Sequence, residues 1–216
     1  MAVIAYQYRG ELVDQIHRGH IAVTDHTGRI LWKLGDPERL TFARSSAKPL
    51  QAIPVAESGA LEHYGITPQE LAVICSSHNG EPFHVKAVES ILHKAGLSPD
   101  QLCCGAEYPM YVPAEDALKI AGIPRAPIYC DCSGKHAGML ITARHFGESL
   151  ENYTALEHPV QQRILSVFAE MCGVETSEVQ LAVDGCGVPV HAMPLRNICL
   201  LYTSDAADDL TRVDLG

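Results

Sequence analysis

A serine and a lysine three residues apart, Ser45 and Lys48 in the run Arg44-Ser45-Ser46-Ala47-Lys48-Pro49, are the residues from which chemistry can start. Positions i and i+3 share one face of a helix, so a helical turn here brings hydroxyl and amine within hydrogen-bond reach. A serine hydroxyl is a weak nucleophile at neutral pH and needs a neighbouring base. A lysine serves only after losing its proton, which burial or a nearby cation such as Arg44 favours. The same spacing also fits a plainer role, in which Ser45 caps a helix and Lys48 is a solvated side chain. Ser-x-x-Lys alone does not choose between the two.

A second group of reactive side chains lies further on. Cys130, Cys132, Lys135 and His136 fall within seven residues, and Asp184 and Cys186 follow in another glycine-bearing turn. Thiolate, imidazole and carboxylate are the ligands zinc prefers, and a helix starting near Ser133 favours the thiolate form of Cys132. Neither Cys-x-x-Cys nor His-x-x-x-His occurs. Spacing therefore leaves a zinc site and a set of buried free cysteines both open. Cys75, Cys103, Cys104 and Cys172 are expected in the core. The polar turn Ser76-Ser77-His78-Asn79-Gly80-Glu81-Pro82 carries a histidine that either orients the loop or touches a substrate.

These groups need elements to position them. Residues 3–8, 21–25 and 29–33 read as strands of an antiparallel meander, with turns at 18–20 and 26–28. Gly35-Asp36-Pro37 breaks that pattern. An apolar series compatible with a helix runs from Ser45 to Ala56, and Pro54 is expected to kink or end it. Residues 71–75 form a continuous apolar run, read as a buried strand emptying into the Ser77 turn. Helices are expected at 84–95, closed by Gly96, from Ser133 to near Gly147, and at 158–171, stopping at Gly173. Residues 108–127 read as loop with a short helix at 115–120, and 179–183 as a strand feeding the Asp184 turn. The class is α/β (α+β), with a mixed or antiparallel sheet packed with helices.

Bulk properties narrow the function. The chain has 216 residues, 47% hydrophobic and 19% charged, enough for a sizeable core. Sixteen Lys plus Arg against 26 Asp plus Glu give a net charge of -10, which argues against nucleic acid or an anionic membrane as partner. No signal-peptide pattern and no membrane-spanning run occur, so a cytoplasmic protein is expected. Eight cysteines in that compartment point to metal binding or burial rather than disulfides.

Taken together, Arg44-Ser45-x-x-Lys48-Pro49, Cys75-Ser76-Ser77-His78-Asn79-Gly80-Glu81, Cys132-Ser133-Gly134-Lys135-His136 and Asp184-Gly185-Cys186-Gly187 resemble the rhizobial-type L-asparaginases of the asparaginase II family. His17-Arg18-Gly19 and Gly35-Asp36-Pro37 belong to the same resemblance. It implies a fold similar to serine β-lactamases and glutaminases, a homodimer, and hydrolysis of L-asparagine to L-aspartate and ammonia, with L-glutamine as the alternative substrate. It further implies two serine-lysine tandems. Ser45 with Lys48 matches the first, and Ser77 matches the serine of the second, whose lysine lies beyond this chain. Ser45 is preferred as nucleophile because its lysine is held at fixed helical spacing. Arg44, His78 and Asn79 are expected around the substrate. Zinc ligands match Cys132, Lys135 and Cys186, with Asp184 close by. The resemblance covers residues 1–198; 199–216 is expected to be a non-family tail of assembly origin, with the family's C-terminal part missing. Two rivals remain. One is an inactive zinc-stabilised fragment that binds an amino acid. The other is a penicillin-binding or β-lactamase-type acyl transferase, although its Ser-Asp-Asn and Lys-Thr-Gly motifs are absent.

Overall fold

The computed structural model describes residues 1–203, so residues 204–216 of the expected tail lie outside the described part. The chain divides into two units. One comprises Met1–Ala43, Ala169–Gln180 and the chain from Ala192 onward; the other comprises Arg44–Phe168 and Leu181–His191. No linker marks this division in the sequence, because each unit is assembled from segments far apart along the chain.

The first unit holds the strands expected near the N-terminus, arranged as two hairpins. β1 (Ala2–Arg9) pairs antiparallel with β2 (Leu12–Gly19), and β3 (Ile21–Thr24) with β4 (Ile30–Leu34). The strand β2 was not legible, since Asp14, Gln15, His17 and Arg18 interrupt any apolar alternation, and residues 18–19 continue it instead of turning. The β3–β4 turn is held by the Asp25 carboxylate, which accepts from the Thr27 hydroxyl at 2.6 Å and from the Arg29 main chain at 3.1 Å. Those bonds, Thr27 foremost, hold its carboxyl down at about 2. β5 (Leu40–Phe42) pairs antiparallel with residues 192–194 of β7 (Pro189–Pro194). Gly35 earns its place in the Gly35-Asp36-Pro37 break: with φ of +80°, a Cβ there would stand 2.7 Å from His20 Nδ1, which accepts the Asp36 N–H at 2.7 Å. A helix then begins at Leu195 and runs through Thr203, α8 (Leu195–Thr203). The start of the expected tail is therefore helical.

The second unit is built on helices. α1 (Lys48–Glu57) follows a 3₁₀ turn, Arg44–Ala47, and continues through Pro54 to end three residues past it. α2 (Ala60–Tyr64) leads to α3 (Pro68–Ile74), which replaces the strand expected at 71–75. The overlooked signal was the capping box of Thr67 with Glu70, followed by Pro68 at the first helical position. α4 (Pro82–Lys94), α5 (Val112–Ile120), α6 (Ser133–His145) and α7 (Pro159–Cys172) match the helices expected, and β6 (Gln180–Val183) precedes the Asp184 turn. With eight helices and antiparallel strand pairing among the described residues, the α/β class is as expected. No helix among them is long and apolar enough to cross a membrane.

Every residue of α6 from Ser133 to Ala143 is buried. It packs against α1, α3 and α4, which explains why it shows no polar face. Gly134 and Gly138, one turn apart, make the approach of α3 possible. A Cβ on Gly134 would overlap the Val73 carbonyl oxygen, and one on Gly138 would stand 2.7 Å from Ile74 Cγ2. The Val73 carbonyl cannot rotate aside as a side chain can. Gly134→Ala is therefore expected to destabilise the fold by about 1–3 kcal/mol through overpacking. An unchanged denaturation midpoint in that variant contradicts this packing.

Candidate active site

All candidate site residues belong to the second unit. Lys48 opens α1 and is only 1% exposed. Its Nζ donates to Ser77 Oγ at 2.6 Å, to the Asp131 carbonyl at 3.3 Å and to Asp131 Oδ2 at 3.4 Å. Ser45 is exposed, and among the described residues no hydrogen bond joins it to Lys48. The expected pairing of Ser45 with Lys48 is thus replaced by Lys48 with Ser77. The reason is local: the 3₁₀ turn leaves Ser45 outward, while Lys48 begins the α-helix and runs inward.

Arg44 starts that turn with φ of +49°, a left-handed conformation strained for a residue with a Cβ. Its guanidinium is held by Asp184 at 2.8 Å. Asp184 thereby faces Arg44, and its Oδ1 also accepts the Gly185 N–H at 2.9 Å. Arg44, Ser45, Glu107, Asp131, Asp184 and Cys186 are among the residues lining a cleft of about 190 Å³. A hollow of about 370 Å³ beside β6 is larger but mainly apolar, lined by Ala155, Leu156, Leu181 and Val183, and has no nucleophile paired with a base.

Asp131 was not singled out by sequence reasoning, though its position between Cys130 and Cys132 was a usable signal. Its carbonyl accepts the His78 N–H at 3.2 Å as well as Lys48, tying the Ser77 turn to the start of α6. Burial pushes its carboxyl up, but the Lys48 cation and bonds from Ser77 and Cys132 outweigh burial and hold it below the usual carboxylate range.

His78 is 2% exposed and both ring nitrogens are engaged. Gly80 N–H donates to Nδ1 at 3.1 Å, which assigns the ring proton to Nε2; that nitrogen donates to Ser133 Oγ at 2.8 Å, and Ser133 donates to the Ile128 carbonyl at 3.0 Å. With no nitrogen left for a substrate, His78 orients the loop that carries Ser77. Asn79 is exposed, and its carbonyl accepts the Tyr111 N–H at 2.8 Å.

The second reactive group is also assembled. Lys135 and Cys186 are buried, with Lys135 Nζ 3.0 Å from Cys186 Sγ. Cys186 is in hydrogen-bond contact with Cys132, and Cys132 with Cys130. Cys130, Asp131 and Cys132 bring their ligating atoms within 4.8 Å of one another and form a group able to hold a metal ion. These thiols are held in the protonated form. Hydrogen bonding with Cys104 is the foremost cause of raising Cys130 to about 12. Cys132 and Cys186 are raised chiefly by their bonds with Cys130 and with each other, respectively. Cys104 and Cys172 are buried as expected, Cys75 is half-buried, and Cys103 is exposed, contrary to expectation. Behind the thiols, His136 Nδ1 lies 2.7 Å from the hydroxyl of fully buried Tyr153, which also accepts the Cys103 N–H at 2.8 Å. Tyr153 carried no sequence signal.

Burial pulls His78 down to about 4, assisted electrostatically by the nearby His84 and Lys48 and opposed by Asp131. Burial likewise pulls His191 to about 4, assisted by Lys135; its ring stacks on Phe168 at 4.2 Å. Both lie below the ordinary value of 6.5, so the unfolded chain binds more protons than the folded one in between. Stability is therefore full above pH 6.5 and lost as pH falls from 6.5 towards 4, by roughly 3 kcal/mol per histidine at 1.36 kcal/mol per pH unit. Urea unfolding at stepped pH checks this, with a shallower acid slope expected in His191→Phe. Equal midpoints at pH 7 and 4.5 contradict it.

A search of curated proteins returned no match. The family model described as L-asparaginase II matches residues 5–213, running past position 198. A Lys48-bonded serine, an amino-acid-sized cleft and a thiol cluster thus stand in a chain that belongs to the L-asparaginase II family, whose members are amidohydrolases acting on asparagine.

Proposed function

We propose that this chain hydrolyses the side-chain amide of L-asparagine through an acyl-enzyme formed on a serine activated by Lys48. The supporting observation is the 2.6 Å contact between the buried Lys48 amine and the Ser77 hydroxyl. Lys48 in its neutral form takes the Ser77 proton as Oγ attacks the carboxamide carbon. The proton passes to the departing ammonia, and water hydrolyses the resulting ester with Lys48 again as base. Asp131 fixes the amine from two sides, through its carbonyl and its Oδ2. Arg44 suits the substrate α-carboxylate, and the acidic groups of Glu107 and Asp184 suit its α-ammonium. A homodimer, implied by the family resemblance, completes the proposal.

Ser45 supports a second reading, because it is exposed and lines the cleft of Arg44 and Asp184, whose lining does not include Ser77. Ammonia release from L-asparagine separates the two. Ser77→Ala and Lys48→Arg, the latter charged but unable to serve as base, are expected to lose about 10²–10⁴-fold in kcat, while Ser45→Ala retains turnover. Inactivity of Ser45→Ala alongside an active Ser77→Ala moves the nucleophile to Ser45. Asparagine binding without ammonia release in the unaltered chain supports the inactive fragment instead.

Zinc fits the residues at Cys132, Lys135 and Cys186. All three donors are buried together, and Cys186 is also in hydrogen-bond contact with the buried His136. When bound, zinc supplies Lewis acidity beside the cleft and clamps the turn before α6 to the turn after β6. Since both thiols sit above the ordinary thiol value, loading must release their protons. Affinity is expected to fall about tenfold, for each proton displaced, with every unit by which pH drops, read by chelator competition between about pH 8 and 6. A pH-independent affinity contradicts thiolate ligation.

A further inference from the structure

Four thiols, not two, face the cleft: Cys104, Cys130, Cys132 and Cys186. They form a chain. Cys130 is in hydrogen-bond contact with Cys104 on one side and Cys132 on the other, and Cys132 with Cys186. Cys130 Sγ also lies 3.5 Å from the Cys104 carbonyl and 3.7 Å from Asp131 Oδ1. With the Lys135 amine and the Asp131 carboxylate, six donors lie in this region, of which Cys130, Asp131 and Cys132 bring their ligating atoms within 4.8 Å of one another, whereas a tetrahedral zinc-like ion uses four. The donors also divide by place. Lys135 joins the Cys186 end at 3.0 Å, and Asp131 Oδ1 joins the Cys130 end.

We propose that Cys104, Cys130 and Asp131, with Cys132 as a shared ligand, form a second binding position for a soft divalent cation beside the one at Cys132, Lys135 and Cys186. Thiolate donors with a single carboxylate select zinc or cadmium over magnesium or calcium. Asp131 divides its oxygens between two tasks, Oδ1 toward Cys130 and Oδ2 toward Lys48, so a cation at Oδ1 leaves the Lys48 contact its own oxygen. The second position rests on the zinc proposal only through the shared Cys132, and it does not depend on turnover.

Cadmium titration of the reduced, metal-free 216-residue chain tests it, followed by thiolate-to-metal charge-transfer absorbance and by metal content after gel filtration. Two equivalents are expected in the unaltered chain. One is expected in the Cys104→Ser/Cys130→Ser double variant, and one in Cys186→Ser. Saturation of the unaltered chain at one equivalent overturns the proposal whatever the variants do, as does a double variant that still takes two. If Cys186→Ser keeps both equivalents while the double variant loses one, the Lys135–Cys186 position fails and the new one stands. Should the double variant not fold by circular dichroism, Cys104→Ala replaces it, with the second equivalent weakened about tenfold or more and an unweakened one overturning the proposal.

Discussion

A lysine amine taken out of water must be met by partners that replace its hydration, and in this chain that requirement organises the site. Lys48 meets it with the Ser77 hydroxyl, the Asp131 carbonyl and the Asp131 carboxylate. Lys48 and these partners come from three separate places: the first turn of α1, the loop after α3 and the approach to α6. Each is locked in turn. His78 ties the Ser77 loop to Ser133, and the Asp131 carbonyl ties the same loop to the cysteine segment. The amine is thus held in one position, the preorganisation that proton transfer to and from a serine needs.

The helix α6 is the second half of that constraint. Its polar residues would be costly to bury without partners, yet each has one: Ser133 holds His78, Lys135 meets Cys186, and His136 meets Tyr153. Burying all of them requires neighbours on every side, and Gly134 with Gly138 lets α3 come close enough. One helix therefore carries both the support for the serine loop and one end of the thiol cluster, which joins the two through a single rigid element.

Much of this was legible in the sequence, for identifiable reasons. Helices with glycine stops, such as α4 before Gly96 and α6 before Gly147, were placed because the left-handed closing residue leaves a local mark. The α3 segment was misread because a short apolar run satisfies strand and helix patterns alike; its capping box was the better guide. Ser45, Lys48, Ser77, Cys132, Lys135 and Cys186 were singled out from the sequence, but not their pairing. Spacing along the chain reports which residues share a local face, while the partner of Lys48 lies 29 residues away and Asp131 lies 83. Tyr153 and Cys104 stayed hidden for the same reason, since their roles arise only from contacts made by folding.

The central claim is that the hydroxyl bonded to Lys48 becomes acylated during amide hydrolysis. Its most direct test is rapid acid quenching of the chain mixed with L-asparagine, followed by peptide mapping by mass spectrometry. The account predicts an aspartyl adduct on the peptide containing Ser77. An adduct on the Ser45 peptide, or ammonia release with no adduct at either serine, contradicts it.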